Sequence, residues 1–519
     1  MLRKIRTVLA VLFFGLITFY FLDFADILPA SFDWLVKMQF VPALTSLSLV
    51  TLVALIAATL LLGRIYCSVI CPMGVFQDVM NWLSAKFGKN AKGKKWSKRR
   101  KRFRFSPAKT WLRWTVLGVT AVGFLCGFTV ILGLLEPYSA FGRMVTNVFK
   151  PVYMVGNNLL ESVFSRFDNY TFYRVDASIV SVSAFLIGLL TFLAIGYLAW
   201  RHGRTWCNTV CPVGTLLGFI SRYSLLKIRI DKEKCTHCQV CGTRCKASCI
   251  DSRNGKIDYS RCVDCFDCIG SCKEGALSYG LPRTSRQQKP AETTRPAPSS
   301  RRQFLLAGLA TAAAAGKLAA QTPVSNFNSH KAYRRQHPLT PPGSVSLAHF
   351  QANCTSCHLC VSKCPSHVLK PAFLEYGLEG MMQPTVYFEK GFCNYDCTVC
   401  ADVCPNGAIR PLTVEQKHRT QMGKVVFIEE NCIVHIDGTN CGACSEHCPT
   451  QALSMVPYRD GLTIPHVDTS ICVGCGGCEY VCPARPFRAV YIEGNETHQE
   501  AKPFEEKKQE DVVIDDFGF

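Results

Sequence analysis

Between Cys354 and Cys482 the chain repeats one cysteine spacing four times, which leaves few folds open to it. The four runs are NCTSCHLCVSKCP, FCNYDCTVCADVCP, NCIVHIDGTNCGACSEHCP and ICVGCGGCEYVCP. Their cysteines are Cys354, Cys357, Cys360 and Cys364; Cys393, Cys397, Cys400 and Cys404; Cys432, Cys441, Cys444 and Cys448; Cys472, Cys475, Cys478 and Cys482. The first and last runs read C-x2-C-x2-C-x3-C-P. The second opens as C-x3-C and the third as C-x8-C, and both then keep C-x2-C-x3-C-P. Cystines give no reason for that repeated interval. Zinc knuckles explain C-x2-C but not four trailing prolines. Cys354-Thr-Ser-Cys357-His358 fits the c-type haem attachment pattern, yet Cys360 and Cys364 continue the larger register.

That register is the spacing of bacterial two-cluster ferredoxins, where three thiolates grip one [4Fe–4S] cubane and the fourth, before proline, serves its neighbour. The spacing therefore predicts four clusters here, with the pairing of the runs left open. A second cysteine-rich segment, 227–280, supplies Cys235, Cys238, Cys241 and Cys245, then Cys262, Cys265, Cys268 and Cys272. It predicts a two-cluster ferredoxin of the same βαβ-like kind. Lys246 and Lys273 stand where proline is usual, and Cys249 is a spare that could replace Cys245 as ligand. Of the 30 cysteines, Cys126 lies inside an apolar run and reads as a core residue.

The rest of the chain is apolar. Hydrophobic residues make up 48% of the sequence, and four apolar runs, about 7–22, 41–62, 114–135 and 178–200, predict membrane spans. Residues 86–113 carry thirteen Lys or Arg and no acid. Between two apolar runs, positive charge of that kind marks a cytoplasmic loop better than a nucleic-acid surface. The N-terminus is then cytoplasmic, and segments 23–40 and 137–176 face outward. Asp23, Asp26 and Glu136 fall near the outer face and read as ordinary interfacial acids, proton acceptors being the sharper alternative.

An internal repeat sits in this part. Gly63-Arg64-Ile65-Tyr66-Cys67 leads to Cys71-Pro72-Met73-Gly74, and Gly203-Arg204-Thr205-Trp206-Cys207 leads to Cys211-Pro212-Val213-Gly214. Both read G-R-x-[YW]-C-x3-C-P-x-G. Two half-bundles related by a pseudo-twofold axis would bring Cys67, Cys71, Cys207 and Cys211 together. These thiols could bind a seventh Fe–S cluster, cycle between dithiol and disulfide, or hold a transient metal. Further on, Ser300-Arg301-Arg302-Gln303-Phe304-Leu305-Leu306 and an Ala-rich core match a twin-arginine signal, which suits cargo that must be exported already folded.

The predicted fold class is multi-domain: an α-helical membrane bundle of four spans, with a fifth short apolar segment, carrying two α+β bacterial-ferredoxin-like modules. The bundle occupies 1–226, the first ferredoxin 227–280, a linker 281–299, the twin-arginine segment 300–321, the four-cluster domain 322–495 and an acidic tail 496–519.

The first 280 residues resemble the NapH-type membrane ferredoxins, with four spans, twin C-x3-C-P motifs and a two-cluster ferredoxin. Residues 300–490 resemble the NapG type, with a twin-arginine start, Pro341-Pro342-Gly343 and the run CNYDCTVCADVCPNGAI. The resemblance implies a quinol dehydrogenase component of the inner membrane. Electrons would pass from the quinone pool through six [4Fe–4S] clusters, two cytoplasmic and four periplasmic, to a periplasmic reductase or cytochrome. The twin C-x3-C-P arrangement is shared with NosR and CcoG, and the latter implies an alternative, copper reduction in metalloenzyme maturation. A third reading has the first ferredoxin accept electrons from a cytosolic donor. Direction and terminal acceptor are not legible in the residues.

Overall fold

The computed structural model describes residues 1–23, 27–87, 103–175, 180–281 and 332–503. Helix α1 (Leu2–Leu22) starts the bundle. The second apolar run, expected as one span over 41–62, is split into α2 (Phe40–Thr45) and α3 (Leu49–Leu62), because Leu47 turns the chain with φ +54°. The C-x3-C-P of the first repeat then opens α4 (Pro72–Phe87), with proline at its first turn. The third run is split in the same way. It gives α5 (Thr110–Leu125) and α6 (Thr129–Leu135), with Gly127 at φ +84° between them. Cys126 lies exposed at that break, so it is not the core residue expected from its apolar surroundings.

The segment expected as an outward loop begins instead with α7 (Pro137–Met144), all of whose residues are buried. Glu136 caps it, accepting the N–H groups of Tyr138 and Ser139. The helix packs between α4 and α9 and continues into α8 (Lys150–Phe164). Then come α9 (Val182–His202) and, after the second repeat, α10 (Pro212–Ile220).

Among the described residues two helices, α1 and α9, are long and apolar enough to cross a membrane, at 21 residues each. At 1.5 Å per residue each is about 30 Å long, the thickness of a hydrocarbon layer. Along α9, Val182, Leu186, Leu190, Leu193 and Tyr197 form an exposed stripe at three- and four-residue steps.

Two lobes are built from antiparallel pairs. In the first, β1 (Lys227–Ile230) pairs with β4 (Leu277–Gly280), and β2 (Ile250–Asp251) with β3 (Lys256–Ile257). In the second, β5 (Leu369–Pro371) pairs with β6 (Pro384–Val386), β7 (Thr420–Phe427) with β10 (Val490–Glu500), and β8 (Leu453–Pro457) with β9 (Thr463–Val467). Every strand pair among the described residues is antiparallel, and in the first lobe a helical turn, Val240–Arg244, lies between β1 and β2 in the chain, the strand–helix–strand order expected there. Strand β10 runs on to Glu500, past the boundary drawn at 495, and Ala501 is buried beyond it. The twin-arginine run, Asp26, most of the linker and of the basic stretch, and the tail from 504 lie outside the described residues.

Candidate iron–sulfur and thiol sites

Six cysteine runs form candidate cluster loops, and four of them share a backbone device. In each C-x2-C-x2-C stretch the residues two and four after the first cysteine have positive φ: His237 and Gln239, Asp264 and Phe266, Ser356 and His358, Gly474 and Gly476. Six of these eight are not glycine, and a left-handed side-chain-bearing residue costs roughly 1 kcal/mol or more. The alternation turns successive N–H groups inward into an anion-binding concavity. After the closing proline the chain turns back and donates again. Ile409 N–H lies 3.5 Å from Cys404 Sγ, Ala452 N–H 3.2 Å from Cys448 Sγ and Ala489 N–H 3.3 Å from Cys482 Sγ.

The thiols assemble in fours. The charges that act on Cys360 include those of Cys357, Cys354 and Cys404, and Thr355 bonds to Asn406 beside that last cysteine. Cys400 faces Cys393, Cys364 and Cys397. One cavity is lined by Cys432, Cys441, Cys444 and Cys482, another by Cys448, Cys472, Cys475 and Cys478. The first run thus pairs with the second and the third with the fourth, each lending its last cysteine to its partner. In the first lobe Cys268 faces Cys265, Cys262 and Cys245, while Cys241 faces Cys238 and Cys235. Cys249 is fully buried with its Sγ 3.4 Å from that of Cys245, so both stay within reach of this group.

This geometry fits a four-iron cubane. Zinc would explain the C-x2-C knuckles but not the exchange of the last cysteine between paired runs. A cubane instead takes one thiolate per iron. Burial pushes the Cys357, Cys444 and Cys475 thiols up to about 12, so they need a positive partner to ionise at neutral pH.

The twin motifs meet inside the bundle, with Cys67, Cys71, Cys207 and Cys211 all buried. Their environment is nearly symmetric. Arg64 reaches across to Asn208 Oδ1 at 3.1 Å, and Arg204 reaches across to the Cys67 carbonyl at 2.5 Å. A Cβ on Gly74 would stand 3.2 Å from Arg204, and one on Gly214 would stand 3.2 Å from Arg64. Three of the sulfurs accept hydrogen bonds: Cys67 from Arg64 Nη2 at 3.8 Å, Cys207 from Gln77 Nε2 at 3.0 Å and Cys211 from the Gly214 N–H at 3.2 Å.

Each repeat also docks the first lobe. Gly63 and Gly203 have φ of +77° and +70°, and a Cβ would lie 2.3 Å from Asp264 Oδ2 and 2.4 Å from the Lys246 carbonyl. The next N–H groups bind those same atoms: Arg64 to Asp264 at 2.8 Å and Arg204 to Lys246 at 3.0 Å. This explains the missing proline at 246. Lys246 Nζ enters a buried ion cluster, 2.8 Å from Asp78 and 3.2 Å from Asp267. Asp78, which nothing in the sequence marks, also holds Arg6 at 2.9 Å and Arg204 at 2.7 Å. Lys273, by contrast, is exposed.

The second lobe docks at the other end of α1. Its first run lies on α6 and α7: Thr129 Oγ1 donates to the Gln351 carbonyl at 2.7 Å, Ser139 bonds Thr355 at 2.8 Å, and Arg143 donates to the Ser356 carbonyl at 3.2 Å. Asn147 meets His358 at 2.9 Å. Ser362 donates to the Phe21 carbonyl at 2.5 Å, and Lys363 pairs with Asp23 at 3.0 Å. Asp23 and Glu136 are therefore buried, and their carboxylates accept backbone N–H groups.

Paired ferredoxin loops on an apolar bundle define an iron–sulfur electron-transfer protein of the ferredoxin type. Known proteins agree. A model described as "4Fe-4S binding domain" matches residues 45–90 and 184–233, one copy on each twin motif, and one described as "4Fe-4S dicluster domain" matches 439–485. The ferredoxin-type protein NapG of Escherichia coli K12 is 31% identical over 196 residues, 36% of this chain and 81% of its own. The ferredoxin-type protein NapH of the same organism is 24% identical over 244 residues, 46% of this chain and 67% of its own. YccM of that organism, whose name describes an electron transport protein, is 26% identical over 251 residues, 48% of this chain and 60% of its own. YccM and two further relatives exceed the stretch they share with this chain, which spans 40–63% of their lengths. No solved structure matches. The chain belongs to the NapH/NapG-type ferredoxin family.

Proposed function

We propose that the chain is a membrane-embedded conduit that takes electrons from quinol and delivers them to an acceptor on the far side of the inner membrane. The observation that carries this reading is the placement of the two lobes. Near the start of α1, Arg3 pairs with Asp267 of the first lobe at 2.9 Å; at its end, Phe21 and Asp23 hold the second. About 30 Å of apolar helix separates them. The exposed stripe on α9 supports burial of that interval in lipid.

In this reading Cys235, Cys238, Cys241 and Cys272 hold one cluster, and Cys262, Cys265, Cys268 and Cys245 or Cys249 a second. The second lobe holds four: Cys354, Cys357, Cys360 with Cys404; Cys393, Cys397, Cys400 with Cys364; Cys432, Cys441, Cys444 with Cys482; Cys472, Cys475, Cys478 with Cys448. When bound, such clusters supply one-electron carriers whose potential follows burial and N–H donation to sulfur. Cys67, Cys71, Cys207 and Cys211 form a further site, where Arg64, Arg204 and Gln77 offset the charge of thiolates. The chain's own part is to fix these thiolates, exclude water and offer donors. The test is anaerobic purification followed by addition of a quinol. Cluster reduction seen by electron paramagnetic resonance (EPR) is expected; no reduction by any quinol tried would remove the dehydrogenase reading.

A further inference from the structure

The four thiol quartets of the second lobe stand in single file. The quartet of Cys354, Cys357, Cys360 and Cys404 lies against α7, where a Cβ on Gly142 would meet the Cys357 carbonyl at 2.4 Å. Cys364, Cys393, Cys397 and Cys400 come next, exchanging one cysteine with it. The Cys393 N–H then donates to the Cys475 carbonyl at 2.9 Å, and Phe392 and Tyr480 touch with ring centroids 5.9 Å apart, so the quartet containing Cys475 is third. Cys432, Cys441, Cys444 and Cys482 are last, linked to the third by the exchange of Cys448 and Cys482. Over this last quartet sits the eight-residue interval that sets the third run apart. It folds into one helical turn, Ile433–Asp437, closed by Gly438 at φ +60°. The turn is braced: His435 bonds the Tyr458 hydroxyl at 2.9 Å, and Arg459 donates to the His435 carbonyl at 2.6 Å. Ile436 is 43% exposed, and the residues from Asp437 to Asn440 are exposed too. Ligation needs no such interval, since two residues, or three in the second run, serve elsewhere. Glu429 lies 3.2 Å from His435, and Glu430, Asp437, Glu446 and Asp460 stand close to the turn in the chain, against Arg459 on the turn and Arg485 and Arg488 beside Cys482 and Asn431, an acidic excess in a chain of net charge +20.

We infer that the turn between Cys432 and Cys441 is the docking surface through which the second lobe passes electrons, one at a time, to a soluble redox protein with a basic rim. This deepens the proposed function and rests on its cluster assignment. In the step, one electron leaves the reduced terminal site and reduces the partner's one-electron centre, with no bond made and no proton moved. The test uses the full chain, reduced with dithionite so that quinol plays no part, and cytochrome c as basic one-electron acceptor. Ile436→Lys keeps every cysteine; it is expected to leave iron content and EPR signals unchanged while slowing oxidation by cytochrome c about tenfold or more. Oxidation by ferricyanide, too small to need a docking surface, should stay the same. Cys444→Ala should remove one EPR signal and slow cytochrome c alone. Unchanged cytochrome c rates in both variants, or a matching loss when Leu374→Lys alters an exposed site elsewhere on the lobe, would overturn the inference. A chain that passes this test yet ignores quinol would instead correct the donor.

Discussion

Asp78 accepts from Arg6, Arg204 and Lys246, which belong to α1, the second repeat and the first lobe. A carboxylate so placed joins three parts of the molecule through one buried charge. Asp78→Ala leaves three largely buried cations without their partner, and breaking a buried pair of this kind costs about 3–5 kcal/mol. The variant should melt earlier in detergent and release the first lobe to protease; an unchanged melt would show that the cluster is not structural. Gly203→Ala tests the neighbouring contact. It adds a Cβ at 2.4 Å from the Lys246 carbonyl at a position with φ +70°, so the lobe should loosen while Gly15→Ala, with nothing within 4 Å, should not. The thiols were legible because metal ligation imposes spacing. Asp78 was not, because partners 72, 126 and 168 residues away leave no local pattern. Lys246 stood out only as a departure, and its use became plain once Asp78 faced it.

At the level of elements, α7 shows why hydropathy misleads. PYSAFGRM has no apolar run, yet it is buried on all sides because its small residues admit close neighbours. Gly133 and Gly142 bring backbone against Thr355 and Cys357, where a Cβ would stand at 2.6 and 2.4 Å. Gly142→Val should therefore push the second lobe away at a cost of about 1–3 kcal/mol. Faster proteolytic release of that lobe, at unchanged iron content, is the expected result. The breaks in the second and third apolar runs were equally hidden: Leu47 has no turn residue's chemistry, and Gly127 is one glycine in a permissive run. The cluster loops were the opposite case. Their positions followed from the spacing, while the left-handed alternation within four of them came only from the backbone.

At the scale of the whole molecule, two lobes grip opposite ends of one apolar bundle, and a thiol quartet lies buried between. Iron counting separates the roles of that quartet. Six cubanes correspond to about 24 irons per chain, and about 28 would place a seventh at Cys67, Cys71, Cys207 and Cys211. Mutation of Cys67 and Cys207 to serine should lower the larger figure and leave the smaller one as it is. The arrangement as an electron path across lipid is tested most directly by sidedness. Protease added to intact spheroplasts should cut the second lobe and spare the first, while inside-out vesicles should give the reverse. Both lobes cut from the same side would contradict the account.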